Sequence, residues 1–146
     1  MSNPGPAITS TTHPSNLNSQ QALRVIAVLK GLSVASLGDT AVQVNNSAFY
    51  VPATVVIANA NNAGANVDVS SVHFGVYTAK SQNGTAVLTQ AALTSQTTTS
   101  YVTVSASSTP NTAESAQTLY FNVSSATATG TIDVYVYGYD LSTGPY

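Results

Sequence analysis

The chain has 146 residues, a length that fits a single domain with one sizeable core. Only 5% of its residues are charged, against about a quarter in ordinary globular proteins. A hydrophobic fraction of 43% and a net charge of -2 favour a folded chain over a disordered one. Because so weakly charged a surface suits a lone monomer poorly, the composition predicts a homo-oligomer, with a trimer favoured.

The composition also argues against several kinds of partner and site. The chain has no cysteine, which excludes disulfides and thiolate metal sites. Its three Lys and Arg residues are too few for nucleic-acid binding, which depends on clustered neutralisation of phosphates. No apolar run approaches the ~20 residues of a membrane-spanning helix, and the segment after Met1 lacks the features of a secretory signal. We therefore expect neither nucleic acid nor a membrane as a partner.

Residues 1 to 20 differ in character from the rest of the chain. Pro4, Pro6 and Pro14 stand there among Ser, Thr and Asn, with no apolar periodicity. This pattern predicts an extended N-terminal arm that orders only against a partner surface. Ile8 and Leu17 are its candidate apolar anchors. Residues 21 to 146 are predicted to form the folded domain.

Strand patterns follow one another through most of this domain. The predicted strands are Ala22 to Leu32, Ala41 to Val44, Phe49 to Ala60, Val67 to Ala79 (bent near Ser70), Thr85 to Leu93 and Tyr101 to Ser105. The first also suits a helix, but its β-branched residues favour a strand, buried on both faces. In the third, alternation places Phe49, Val51, Ala53, Val55 and Ile57 on one face, and Pro52 indicates an edge or a strand start. Asn83-Gly84 predicts a hairpin turn.

The C-terminal stretch from Leu119 to Leu141 is predicted to be a β-hairpin with a small, polar loop from Ser125 to Gly130. Alternation gives it an aliphatic side, formed by Leu119, Phe121, Val123, Ile132, Val134 and Val136. The opposite side carries Tyr120, Tyr135, Tyr137 and Tyr139. We expect the aliphatic side to face the core.

About eight short strands without a convincing amphipathic helix predict an all-β fold, an antiparallel β-sandwich. A jelly roll is favoured over an immunoglobulin-like sandwich, whose Cys and Trp markers are missing.

No catalytic, cofactor-binding or metal-binding residues emerge from the sequence. His13 and His73 have no companions at metal-ligand spacing. The five acids, Asp39, Asp68, Glu114, Asp133 and Asp140, are scattered one to a segment, which makes a glycosidase pair a poor hypothesis. Asp68 and Asp140 are expected to accept hydrogen bonds from backbone donors at turns or strand ends. The chain is predicted not to be an enzyme and to need no cofactor.

The tyrosines allow two interpretations. Aromatic residues on strands often stabilise a sheet through ordinary cross-strand pairs. Tyrosine is also enriched at the cores of protein interfaces and in sugar-stacking platforms. On the second interpretation, Tyr120, Tyr135, Tyr137 and Tyr139 form an interface, with an assembly surface preferred to a sugar site.

Several segments resemble an arrangement found in small virion proteins of tailed bacteriophages. They are VVIANA (55–60), GVYTA (75–79), NGTAV (83–87), LYFNV (119–123) and TIDVYVYGYDL (131–141), which lie within about residues 50 to 141. The region from Ser95 to Ala116 lies outside the resemblance. The resemblance implies a head decoration, or cement, protein: an oligomeric β-sandwich that reinforces the outer surface of the capsid. It also implies the major capsid protein as partner, and location on the virion after assembly in the host cytoplasm. The alternative is a fibre tip or a carbohydrate-binding sandwich that recognises a host glycan.

Overall fold

Residues 23–100, 102–127 and 129–142 are described by a computed structural model, and they form β-strands without any helix. The nine strands are β1 (Arg24–Ser33), β2 (Gly38–Gln43), β3 (Tyr50–Asn62), β4 (Ala65–Asn66), β5 (His73–Ala79), β6 (Asn83–Ala92), β7 (Val102–Ala106), β8 (Thr118–Ser125) and β9 (Thr131–Asp140). The predicted arm, with Ile8 and Leu17, lies outside the described residues, as does Tyr101.

The strands form two antiparallel sheets that pack face to face. Sheet A has the order β1-β9-β3-β7, with the two-residue β4 paired to the end of β3. Sheet B has the order β2-β8-β5-β6. With β4 left aside, every connection except the β5–β6 hairpin crosses from one sheet to the other. The predicted antiparallel β-sandwich is confirmed.

The core lies between the sheets and is built by alternation. Leu119, Phe121 and Val123 of β8 are buried, and so are Ile132, Val134 and Val136 of β9. Phe121 also packs edge-on against Phe74 of β5, with ring centroids 6.0 Å apart. Aromatic pairs favour this geometry, which adds to the free energy gained by burying their area.

The predicted C-terminal hairpin is wrong, although its aliphatic side is correct. β8 pairs with β2 and β5 in sheet B, whereas β9 pairs with β1 and β3 in sheet A. The loop between them is tied to the β1–β2 connection, because Val34 N donates to Gly130 O and Thr127 N donates to Val34 O, both at 3.1 Å. The two aliphatic rows therefore meet across the core instead of lying side by side.

The predicted alternation along β3 needs a correction at one point. A register irregularity against β9 falls between Pro52 and Thr54. A bulge shifts the alternation by one residue, so that Val55 and Ile57 are buried while Val51 shares the outer side with Thr54 and Val56. The segment of β3 that pairs with β7 runs from Thr54 to Ala58. Because Pro52 lies before it, the missing N–H of the proline does not interrupt that ladder.

Three further strand predictions change in detail. β5 begins at His73, and the segment before it is irregular, although Val69 and Val72 are fully buried. The β5–β6 hairpin is present, but its turn lies at Ser81 and Gln82, which both have φ of 60°. β1 is buried on one face only, because Val25 and Lys30 are exposed on the other.

An ion pair between the half-exposed Arg24 and a buried carboxylate joins the edge strand β1 to β9. Asp140 is 1% exposed, and Arg24 Nη1 donates to its Oδ2 at 2.5 Å. Ser142 donates to Oδ1 through its backbone N at 2.9 Å and through its hydroxyl. Burial alone would raise the pKa of Asp140, but the bonds from Ser142 and the charge of Arg24 outweigh it and lower that pKa below its ordinary value.

We expect this carboxylate to contribute pH-dependent stability. Because its pKa is lower in the folded state than in the unfolded state, the contribution is present above the unfolded pKa and is lost as the pH falls through the folded one. Asp140→Asn should lower the free energy of unfolding at pH 7 by about 1–3 kcal/mol. Near pH 3 the difference in this free energy between the variant and the wild type should be smaller. Urea unfolding between pH 3 and 7 measures this, with Ser142→Ala as an intermediate variant. Parallel pH profiles for the wild type and Asp140→Asn would contradict the assignment.

Candidate interaction surface

The outward side chains of sheet A form a broad apolar surface, which we call the tyrosine face. Alternation sends Tyr135, Tyr137 and Tyr139 of β9 outward while the residues between them are buried. The other strands of the sheet supply the remaining members, which are Val25 and Val28 of β1, Val51, Thr54, Val56 and Ala58 of β3, and Val102, Val104 and Ala106 of β7.

The strand register aligns these side chains in rows across the sheet. Tyr135 lies opposite Val28 on one side and Val56 on the other, and Val56 in turn lies opposite Val104. The next row runs through Val25, Tyr137, Thr54 and Ala106. Val104 is 66% exposed, Val102 48% and Tyr139 41%. Apolar side chains that are contiguous and this exposed mark an interaction surface more often than isolated ones do.

Tyr135 and Tyr137 lie side by side along β9. Their ring centroids are 6.5 Å apart, and the ring planes differ by 23°. Within the described ranges, neither hydroxyl takes part in a hydrogen bond. The pair therefore presents stacked rings with polar tips, the type of side chain that is enriched at the cores of interfaces.

The central rows of this face contain no charged residue. Asp133, at one end, accepts hydrogen bonds from Gly31 N at 2.8 Å and from Asn59 Nδ2 at 3.1 Å. Its carboxylate thus binds within its own sheet, and a partner of the tyrosine face would not have to neutralise a bare charge.

The outer face of sheet B has the opposite character. Asn122 Nδ2 donates to Asp39 Oδ1 at 2.6 Å, and its Oδ1 accepts from Gln82 Nε2 at 3.1 Å. Gln90 Nε2 likewise donates to Ser124 Oγ at 2.8 Å. Polar groups that are already bonded to one another gain little from a new partner.

Tyr120 belongs to this second face, and its grouping with the β9 tyrosines is wrong. It pairs with Ala41 and Tyr77 in sheet B, and Lys80 Nζ lies 6.0 Å from its ring centroid. Because β8 and β9 lie in different sheets, their outward residues point away from each other. The structure thus brings together Tyr135, Tyr137 and Tyr139 and separates Tyr120 from them.

Four of the five acids accept hydrogen bonds within the fold through their carboxylates. Asp68 accepts from Ser70 N at 2.8 Å, a turn bond of the kind predicted, and hydrogen bonding from the Ser70 side chain and backbone lowers the pKa of Asp68. Asp39 accepts from Ser81 N at 2.7 Å, at the β5–β6 turn. Among residues 23–100, 102–127 and 129–142, no three His, Cys, Asp or Glu side chains come together as a metal site would require.

The aliphatic members of the tyrosine face were not predicted from the sequence. Val104 belonged to a predicted strand whose position in the sheet was unknown, and Val51 was predicted to share a face with Val55 and Ile57. One signal was present: VTVSA (102–106) alternates apolar and hydroxyl residues and carries no charge. Alternation alone does not say which of its two faces meets solvent.

Comparison of the chain with protein-family models, with curated proteins and with solved structures finds no match. In the part of the chain that the structure describes, no helix could span a membrane.

The two interpretations of the tyrosines predict different effects of mutation. If the tyrosine face is an interface, combining Tyr135→Ala with Tyr137→Ala should weaken assembly or attachment at least about tenfold, while stability falls by only about 1 kcal/mol. Sedimentation and chemical unfolding measure the two effects separately. Tyr120→Ala, on the opposite outer face, is the matched control and should leave assembly unchanged. If the double variant loses stability in proportion to assembly, these residues are ordinary cross-strand pairs.

Proposed function

We propose that this chain is a structural, non-enzymatic virion protein that decorates and reinforces a bacteriophage head by binding the major capsid protein through its tyrosine face. The observation that carries the proposal is the contrast between the two outer faces of the sandwich. One is polar and bonded to itself, whereas the other is apolar and solvent-exposed. A domain that attaches to a capsid surface needs one such apolar face.

The extent of the face supports this role. Strand spacing and rise give the four strands of sheet A a plan area of about 400 Å² over the outward rows. Patches of this size on single proteins are often functional. Tyrosine and valine side chains bury apolar area at a low cost in conformational entropy. The wide spread of the contacts suits a partner with a broad, gently contoured surface, such as an assembled shell.

The topology gives independent support. We infer that the eight longer strands form a jelly roll, because two four-stranded antiparallel sheets are joined by connections that cross between them. Capsid and lectin domains are among the proteins that use this architecture. The resemblance of residues 50 to 141 to small virion proteins of tailed bacteriophages points the same way.

A fibre tip or carbohydrate-binding sandwich is the second candidate, and the stacked pair Tyr135 and Tyr137 is the observation in its favour. A sugar platform also needs polar side chains that are ready to bond hydroxyl groups. The carboxylate at the end of this face, Asp133, already accepts bonds from Gly31 and Asn59. The geometry therefore favours a protein surface over a glycan.

Shell binding by the purified full-length chain tests the proposal. We expect it to sediment with assembled heads and to bind free capsid subunits at least about tenfold more weakly, because a shell offers several neighbouring subunits at once. Combining Tyr135→Ala with Tyr137→Ala should abolish co-sedimentation, whereas Tyr120→Ala should not. Recovery of the chain from infected cells only in soluble fractions, never with heads, would refute the role. Retention on immobilised host glycans without binding to heads would favour the second candidate.

The N-terminal arm, residues 1 to 20, is proposed to act as a second clamp on the capsid or a neighbouring copy, with Ile8 and Leu17 as anchors. Its prolines limit the entropy lost when it is ordered. Deleting residues 1 to 20 should leave the β-rich circular dichroism spectrum unchanged and lower the occupancy of shells several-fold. The double variant Ile8→Ser with Leu17→Ser should reproduce the loss without shortening the chain. Full occupancy after both changes would show that the arm is not a clamp.

A further inference from the structure

The edges of the two sheets are not equally protected against pairing with another strand. An exposed edge carries unpaired N–H and C=O groups, and proteins blunt it with bulges, charges or a covering segment. In sheet A, the edge strand β1 is blunted in two ways. Its register against β9 is irregular between Val25 and Ala27 and again between Leu29 and Leu32, and it carries the exposed Lys30.

Both edges of sheet B are protected as well. At β6, Val87 O accepts from Ser108 N at 2.9 Å and from Ser107 Oγ at 3.1 Å. Thr89 N donates to Ser108 Oγ at 2.7 Å, so this short segment covers the edge. At the other edge, β2 carries the carboxylate of Asp39.

The edge strand β7 has none of these devices. Its five residues include no charge, proline or glycine, and its register with β3 is regular from Ala106 opposite Thr54 to Val102 opposite Ala58. Ser107 N donates to Ala53 O at 2.8 Å. In an antiparallel ladder, bonding groups alternate sides, so Val102, Val104 and Ala106 direct theirs away from β3. No strand in the described ranges pairs with that side.

The sequence of β7 is complementary to itself. When two copies run antiparallel with Val104 opposite Val104, Val102 lies opposite Ala106 and Thr103 lies opposite Ser105. The valine pair and the Val102–Ala106 pairs match apolar side chains on the outer face. The Thr103–Ser105 pairs match hydroxyls on the inner face. Such cross-strand pairs each stabilise a sheet. A charged partner strand would find no complementary charge on β7.

We propose that β7 is a self-association edge, which pairs antiparallel with β7 of a second copy across a twofold axis beside Val104. The outward groups of Val102, Val104 and Ala106 supply about six main-chain hydrogen bonds between the copies. Sheet A then continues through eight long strands, and the two tyrosine faces lie on the same side of it. A twofold contact joins two copies and leaves no site for a third, so the basic assembly is a dimer instead of the trimer that composition favours.

This contact does not depend on the virion role, since it forms between copies in solution. Five paired residues make a small interface, so we expect weak association in the free protein. Sedimentation velocity of the full-length chain should show a reversible monomer–dimer equilibrium up to several hundred micromolar. A trimer, or a monomer throughout this range, would overturn the proposal.

Charge substitutions at the twofold axis identify the edge. Val104→Lys and Val104→Asp should each raise the dimer dissociation constant at least about tenfold, because each places like charges opposite one another. An equimolar mixture of the two variants should dimerise at least as well as the wild type. Ala41→Lys, at an exposed site on β2, is the control and should dimerise normally. Unchanged spectra and unfolding curves verify folding, as expected for a side chain that is 66% exposed.

Cross-linking supplies a readout that does not depend on charge. The chain has no cysteine, so Val104→Cys introduces a single thiol. Paired residues in a ladder have Cα atoms about 5.5 Å apart, which a disulfide can span. Mild oxidation should therefore yield a covalent dimer from Val104→Cys and far less from Ala41→Cys. Equal yields from both variants, or failure of the Val104→Lys and Val104→Asp mixture to dimerise, would refute pairing through β7.

Discussion

Strict alternation along β9 is the constraint on which the rest of the domain depends. The strand lies in the middle of sheet A, with β1 on one side and β3 on the other. Its inward residues, Ile132, Val134 and Val136, fill the core, and its outward tyrosines form the centre of the exposed face. Gly138 completes the inward series, because a Cβ at this position would clash with Val51 O. One strand thereby contributes to both the core and the exposed tyrosine face.

The two outer faces use the same β-sheet geometry for opposite purposes. On sheet B, amides and hydroxyls hydrogen-bond to one another, so these groups keep their partners whether or not water is present. On sheet A, aliphatic and aromatic groups stand in register with few polar neighbours. A protein with 5% charged residues has little other means of making its two outer faces differ in polarity. The difference in polarity between the two faces comes from the hydrogen bonding of their polar residues, and not from the distribution of charge.

Local pattern predicted the strands well and the pairing poorly. Alternation in LYFNV and TIDVYVY identified the buried residues of β8 and β9 correctly, because each strand has one apolar face. It could not show that the strands lie in different sheets, since that depends on partners far away in the chain. Alternation could not reveal the bulge near Ala53 either, and this bulge places Val51 on the opposite face from Val55 and Ile57. For the same reason the tyrosines of β9 were identified, whereas Tyr120 was grouped with them wrongly.

The place of β9 in the chain has a consequence for biosynthesis. Arg24 and Asp140, which bond across β1 and β9, are 116 positions apart. A ribosome adding about 5–20 residues per second exposes β1 and β3 well before the strand that separates them exists. Sheet A cannot close until that strand has left the exit tunnel, so the nascent chain must keep its apolar segments apart for several seconds. Folds dominated by distant pairings also close slowly, and the late synthesis of β9 makes the closing of sheet A a late step in folding.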